Sequence, residues 1–233
     1  MTQLKRYLIL ASLAASSLCN GAMAAYLDFT DSNTISSLSL NSNVYSGSID
    51  GIGFTLTSDI GAVNFNESYD GSLRNGCQSN GGPLKCDLDG AGINNDEITG
   101  LSASSGQTMI LEFASAVSLS GFDFLDLYVN PNDQNRREQA TVRIGGATYN
   151  VAASESSGQG GHENLDLLAL GGPVIGTTIF FSANSSPIFW DDTTNDYALA
   201  GVEVSAIPIP AAVWLFGTAL IGLFGFSKRR KTV

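Results

Sequence analysis

Between Ile207 and Ser227 the chain runs for 21 residues without a charge, and four basic residues, Lys228, Arg229, Arg230 and Lys231, follow at once. A helix rises about 1.5 Å per residue, so roughly 17–25 residues cross the hydrocarbon core of a bilayer. Within Ala211–Phe226 the only polar side-chain groups are the Thr218 hydroxyl and the Trp214 indole, which leaves no polar face for a soluble helix. A transmembrane helix is therefore expected here, in preference to a buried core helix. The basic cluster orients it with its C-terminus in the cytoplasm, because Lys and Arg are retained on that side. Trp214 lies near the opposite end, where an amphipathic ring favours the interface.

The N-terminus carries the complementary signal. Lys5 and Arg6 precede the apolar run Tyr7–Leu18, and Ala22-Met23-Ala24 has the small-x-small form that signal peptidase accepts. Cleavage after Ala24 would make Ala25 the first mature residue. The run is short for an uncleaved anchor, and Leu18 directly before Cys19 disfavours a lipoprotein signal. The organisation expected is a signal peptide at 1–24, an exported passenger at 25–206 and a C-terminal segment at 207–233. The passenger crosses the inner membrane, and the intermediate is held there by its single span.

The sequence Ile207-Pro208-Ile209-Pro210-Ala211, a helix opening Ala-Ala-x-Trp-Leu-Phe-Gly and a terminal Lys/Arg cluster together resemble the PEP-CTERM sorting domain, in the variant named for Val-Pro-Leu-Pro-Ala. The resemblance covers roughly the last 25 residues. It implies recognition by an exosortase, a multi-spanning transpeptidase-like membrane enzyme of Gram-negative, exopolysaccharide-producing bacteria. It also implies processing near the proline pair and delivery to the cell surface or extracellular matrix. Ile209 stands where the commoner form has Glu, which leaves the identity of the enzyme and the cut position open. Proline biases the residue before it toward extended backbone, and an extended strand outside the bilayer is what a protease cleft grips. A plain juxtamembrane linker has the same residues.

The composition of the passenger suits that route. All 22 acidic residues of the chain lie in it against five basic ones, Arg74, Lys85, Arg136, Arg137 and Arg143, a net charge of −17. Nucleic acid is excluded as a partner on those grounds, since phosphate binding needs positive charge. With Cys19 in the signal peptide, Cys77 and Cys86 remain as a pair in "NGCQSNGGPLKCDLDG". Gly81, Gly82 and Pro83 let the loop between them turn back, so a disulfide is expected in an oxidising compartment.

The passenger reads as all-β, a β-sandwich of jelly-roll-like type. Short runs rich in β-branched and aromatic residues alternate with Gly, Asn, Asp and Ser clusters. The strands expected are "YLDFT", "NVYSGSIDGIGFTLTS", "GAVNFN", "QTMILEF", "VSLSGFDFLDLYV", "QATVRIGGATYNV", "TTIFFSAN" and "YALAGVEVS". Phe122, Phe124, Leu127 and Val129 do not keep one parity, which predicts a bulge near Leu125-Asp126. Gly145-Gly146 predicts a hairpin turn. "HENLDLLAL" reads as a loop with a short helical turn, and "DSNTISSLSLNSN" as an irregular approach to the first strands.

Two acidic stretches are candidates for ligand chemistry. In "CDLDGAGINNDEITG", Asp87, Asp89, Asp96 and Glu97 crowd glycines that permit tight turns, and calcium wants six to eight oxygen ligands of this kind. The spacing departs from the EF-hand template, and a solvated acidic turn has the same composition. This stretch, with Gly90-Ala91-Gly92, Asp96-Glu97-Ile98 and Glu112, also loosely resembles a pattern in some PEP-CTERM passengers, which implies a shared sandwich and no particular activity. In "FWDDTTNDYALAGVEV", Trp190, Asp191, Asp192, Asp196 and Tyr197 combine aromatic rings with carboxylates, as a sugar-binding face does. A core Trp beside a polar turn is the competing reading.

Catalysis has less to stand on. His162 is the only histidine and has no motif around it, and the passenger carries no Gly-x-Ser-x-Gly elbow. "SSGQGG" lacks the Lys-Ser/Thr ending of a phosphate loop. No catalytic residue is assigned, and the chain is not expected to be an enzyme. The role expected for the passenger is structural or adhesive, within an exopolysaccharide-associated matrix. The alternatives are a calcium-dependent carbohydrate-binding module and, third, a secreted hydrolase using paired carboxylates.

Overall fold

The computed structural model describes residues 24–65, 68–69, 71, 75–94, 97–101, 106–130, 132–133, 135–156, 160–183, 194–207 and 216. Residues 24–206 form one compact unit. The run expected to cross the membrane lies almost wholly outside the described residues, among which no helix is long and apolar enough to do so. Residues 1–23 and the basic tail lie outside them too.

The unit is all-β. β1 (Ala24–Asp28) is followed by one helical turn, α1 (Ser32–Ser36), then β2 (Ser39–Asn41), β3 (Val44–Ile49) and β4 (Ile52–Ser58). Short strands β5 (Val63–Asn64), β6 (Gly92–Ile93) and β7 (Gly100–Leu101) lead to the long β8 (Thr108–Leu125). After it come β9 (Tyr128–Val129), β10 (Gln139–Ile144), β11 (Ala147–Ala152), β12 (Glu155–Ser156) and β13 (Glu163–Asp166). β14 (Val174–Ala183), β15 (Thr194–Asn195) and β16 (Ala198–Ala206) complete it.

The main sheet is antiparallel and organised on β8. The first half of β8 lies between β4 and β14, with β10 and β11 beyond β14 and β3 and β2 beyond β4. Its second half pairs β16 on one edge and β13 on the other, and β1 lies outside β16. Two-residue turns connect the hairpins. Asp50 and Gly51 both have positive φ between Ile49 and Ile52, and Gly145, at φ +59°, opens the turn from Ile144 to Ala147 that the Gly-Gly pair predicts.

Alternation puts one residue in two inside. Phe54 and Leu56, Met109, Leu111 and Phe113, Val142 and Ile144, and Ile179 and Phe181 are all buried in one hydrophobic cluster. In β8 the inward set is odd-numbered as far as Leu119 and even-numbered from Phe122. The register explains the change: Glu203 faces Gly121 while Val204 faces Leu119, so Ser120 is an extra residue on β8. The sequence does not announce this bulge. The parity break in the sequence, between Phe124 and Leu127, is a separate event: no bulge forms at Leu125-Asp126, and β8 ends at Leu125 with Asp126 at φ +61°.

That switch gives the outer face a buried layer of its own. Leu125, Ala198 and Ala200 pack there against Cys77, Leu84 and Cys86. The two cysteines are disulfide-bonded, with Cα atoms 5.7 Å apart. Closing so short a loop stabilises the fold by about 2–3 kcal/mol in the chain-entropy account. The loop is fastened to β1: the Asp28 carboxylate accepts from the Thr30 amide and hydroxyl (2.9 and 2.6 Å) and from the Lys85 amide (2.7 Å). The Cys86 amide donates to the Thr30 hydroxyl at 2.8 Å.

Two local expectations are corrected. In "HENLDLLAL", Glu163–Asp166 is strand β13, because Leu165 and Leu167 alternate with outward Asn164 and Asp166 at the two-residue period. The turn follows it, with the Leu170 amide donating to the Leu167 carbonyl at 3.2 Å. The segment after β1 is not wholly irregular, because Asp31 caps α1 by accepting from the Asn33 amide at 2.9 Å.

Candidate functional site

The densest polar cluster sits beside the disulfide loop, around Asp123. The bulge turns this residue to the outer face, where it is 3 % exposed. Its row across the sheet reads Asp28, Gly201, Asp123, Asn164 on β1, β16, β8 and β13. A β-carbon at Gly201 would collide with the Tyr26 hydroxyl, so the missing side chain lets Tyr26 reach over β16. That hydroxyl donates to Asp123 Oδ2 at 2.6 Å. Asn164 Nδ2 donates to Oδ1 at 3.0 Å, and His162 Nε2 lies 2.8 Å from the same oxygen.

His162 is placed by the backbone. The amides of Asp126 and Leu127 donate to the carbonyls of Gly160 and Gly161 at 3.2 and 3.1 Å, and the imidazole packs on Gly76 of the disulfide loop. Burial works to raise the Asp123 carboxyl, but the hydrogen bonds from His162, Tyr26 and Asn164 outweigh it and hold it below the usual carboxylate range. Burial, then the charge of Asp123, pushes the Tyr26 phenol up. With Asp123 ionised, Nε2–H of the imidazole donates to it. No hydroxyl or thiol among the described residues hydrogen-bonds to the imidazole. The evident work of the cluster is to tie β1, β8, β13 and the disulfide loop together.

A second cluster involves Glu138, just before β10 and 5 % exposed. Its Oε2 accepts from the Tyr128 amide at 2.7 Å. Burial first, and then the negative charge of Asp196, pushes Glu138 up to about 10. It is therefore protonated at neutral pH and hydrogen-bonds to Asp196. The neighbouring Asn195, 2 % exposed, acts as a backbone surrogate: Oδ1 accepts from the Gln139 amide (2.7 Å) and Nδ2 donates to its carbonyl (2.9 Å).

On the outer face of the sheet, Asn150, Thr141, Ser182 and Thr108 form a row across β11, β10, β14 and β8. They line a cleft of about 490 Å³ with Thr148. In the next row the Arg143 guanidinium sits 4.5 Å above the centre of the Phe180 ring.

The residues singled out in the sequence fare unevenly. Cys77 and Cys86 are bonded as expected. Tyr197 is fully buried, edge-to-face with Phe124 at 5.5 Å, so its ring offers nothing to a glycan. Its neighbours Trp190, Asp191 and Asp192 lie outside the described residues, as does Asp96. Asp87 is exposed and accepts from the Ser32 hydroxyl at 2.9 Å, whereas Asp89 is buried and Glu97 half-buried. Among the described residues no three His, Cys, Asp or Glu side chains are disposed to hold a metal. Ala24 and Ala25 open β1, and Ile207 is partly exposed after β16; Ala22, Pro208–Ala211, Trp214 and Lys228–Lys231 are not described. Asp123, Glu138 and Asn195 escaped the sequence reading, and the one signal for them was a charged or amide residue inside or beside an apolar strand.

Glu138 sets a pH dependence. It is protonated when folded and ionises near 4.5 in the unfolded chain, so between there and about 10 the native state holds the extra proton. Its contribution makes stability fall as pH rises through that window, by up to about 1.4 kcal/mol per pH unit. Glu138→Gln keeps a donor for Asp196 and an acceptor for Tyr128, and is expected to remove this slope. Urea unfolding at about pH 5 and about pH 9 should find it more stable than the parent at the higher pH, by about 1–3 kcal/mol.

Set against protein-family models, curated proteins and solved structures, the chain matches none.

Proposed function

We propose that this chain is an exported cargo of a C-terminal sorting system, whose passenger is a non-catalytic structural or adhesive protein of the cell surface or extracellular matrix. The observation that carries the reading is where the compact unit stops. It runs from Ala24 to Ala206, between a cleavable-looking N-terminal signal and the Ile207-Pro208-Ile209-Pro210 motif. The buried Cys77–Cys86 bond supports folding in an oxidising compartment. The sheet supports a jelly-roll-like sandwich, since β8 changes partners halfway and the inward faces of both halves share one core. In the expected pathway signal peptidase cuts after Ala24, and an exosortase-type enzyme cuts near the proline pair.

Mass spectrometry of the mature protein checks this. A C-terminus within Pro208–Ala211 is the expected result, while a mature species retaining Lys228–Val233 would mean that the segment is only an anchor.

A second reading, carbohydrate binding, is favoured by the hydroxyl- and amide-lined cleft along Asn150, Thr141, Ser182 and Thr108. Sugars are recognised through such hydroxyl and amide groups. On a glycan array, binding that weakens about tenfold or more in Thr141→Val/Asn150→Leu supports it. The same array with and without chelator tests whether calcium takes part; no binding under either condition removes the reading.

A further inference from the structure

The two ends of the passenger leave it at one pole. Ala24 pairs with Ser205, Ser205 with Ser118 and Ser118 with Ile175, a line across β1, β16, β8 and β14. At about 4.8 Å per strand, Ile175 lies roughly 14 Å from Ala24. Beside it the turn between β13 and β14 presents Leu168 and Leu170, which are 54 % and 64 % exposed; Ile175 is 64 % exposed. The turn is internally fastened, with Ala169 N donating to Asp166 Oδ1 (3.1 Å) and Gly172 N to the Leu167 carbonyl (3.1 Å). The leucines are therefore held outward by the backbone.

Charge is sparse at the same pole. The passenger carries −17, yet no charged residue occurs in Phe113–Phe122, Leu167–Phe181 or Val204–Ile207, and the register leaves exposed Asp50, in the turn before β4, as the nearby charge beside the end of β16. Exposed apolar residues of soluble proteins are usually scattered singly, so three beside a chain exit point to a partner. The partner follows from connectivity, resting on the reading of Ala211–Phe226 as a membrane span. Only Ile207–Pro210 separate Ala206 from that run, and so short an extended chain reaches about 18 Å at most. An uncut passenger cannot carry this pole far from lipid.

We propose that Leu168, Leu170 and Ile175 seat in the headgroup region of the bilayer that holds the C-terminal segment, docking the uncut passenger by this pole. Three side chains bind lipid weakly by themselves, and an acidic domain is not drawn to anionic headgroups. The short tether supplies the effective concentration that makes the contact persist. Cutting at the proline pair removes the tether, so the same step that ends processing frees the passenger from the surface.

Hydrogen exchange of the full chain inserted in phosphatidylcholine vesicles, compared with the passenger after proteolytic release at the proline pair, tests this. The amides of 167–176 should exchange about tenfold more slowly while the chain is inserted and recover on release. The variant Leu168→Asp/Leu170→Asp/Ile175→Asp alters only exposed side chains and should abolish the difference, while the chain stays on the vesicles through an alkaline wash. Retention with unchanged exchange would overturn docking and leave the span intact. Slow exchange that persists after release would assign the protection to the domain or to a second copy, and would also overturn docking. Loss of the chain in the alkaline wash would overturn the span reading and docking with it.

Discussion

The last strand is the piece on which the rest closes. β16 lies between β1 and the second half of β8, so Leu27 joins the core through a strand held by residues 198–206, which bring Val202 and Val204 in with them. Among the described residues β1 pairs with β16 alone, which makes the first strand of the passenger depend on the last. Pairing across that separation costs loop-closure entropy before any burial repays it. A chain exported from its N-terminus would therefore complete its fold only after the residues next to the proline pair have emerged.

The bulge at Ser120 is the second organising feature. Without it, the odd-numbered face of β8 would carry Asp123 and Leu125 into the core. With it, Phe122 and Phe124 go inward, and the outer face gains an apolar patch that the disulfide loop covers. Asp123 lies at the edge of this patch, cut off from water and compensated by Tyr26, His162 and Asn164. A buried carboxylate with that many partners marks a junction that tolerates little change, because loss of one donor leaves a desolvated acceptor.

What the sequence reveals and what it hides follow from range. The strands, the Gly145-Gly146 hairpin and the Cys77–Cys86 bond rest on neighbouring residues, and alternation, turn chemistry and compartment logic find them. Tyr26 and Asp123 are 97 residues apart and His162 and Asp123 are 39 apart, so their meeting is a product of register alone. The same holds for Glu138 and Asp196. Tyr197 illustrates the converse: acidic neighbours made it look like a binding-face aromatic, but its approach to β16 turns the ring inward onto Phe124. Within "HENLDLLAL", pairing with β8 imposes a period of two on Glu163–Asp166, a long-range effect that the local residues do not announce.

The dependence of the first strand on the last is open to direct measurement by hydrogen exchange on the passenger with and without residues 198–206. Removal of β16 should take β1 to unprotected exchange and expose the amides of residues 117–125 that bond to β16, while those bonded to β13 and β14 keep protection, with the Cys77–Cys86 bond no longer forming in good yield. Native-like protection of β1 in the shortened chain would contradict the account.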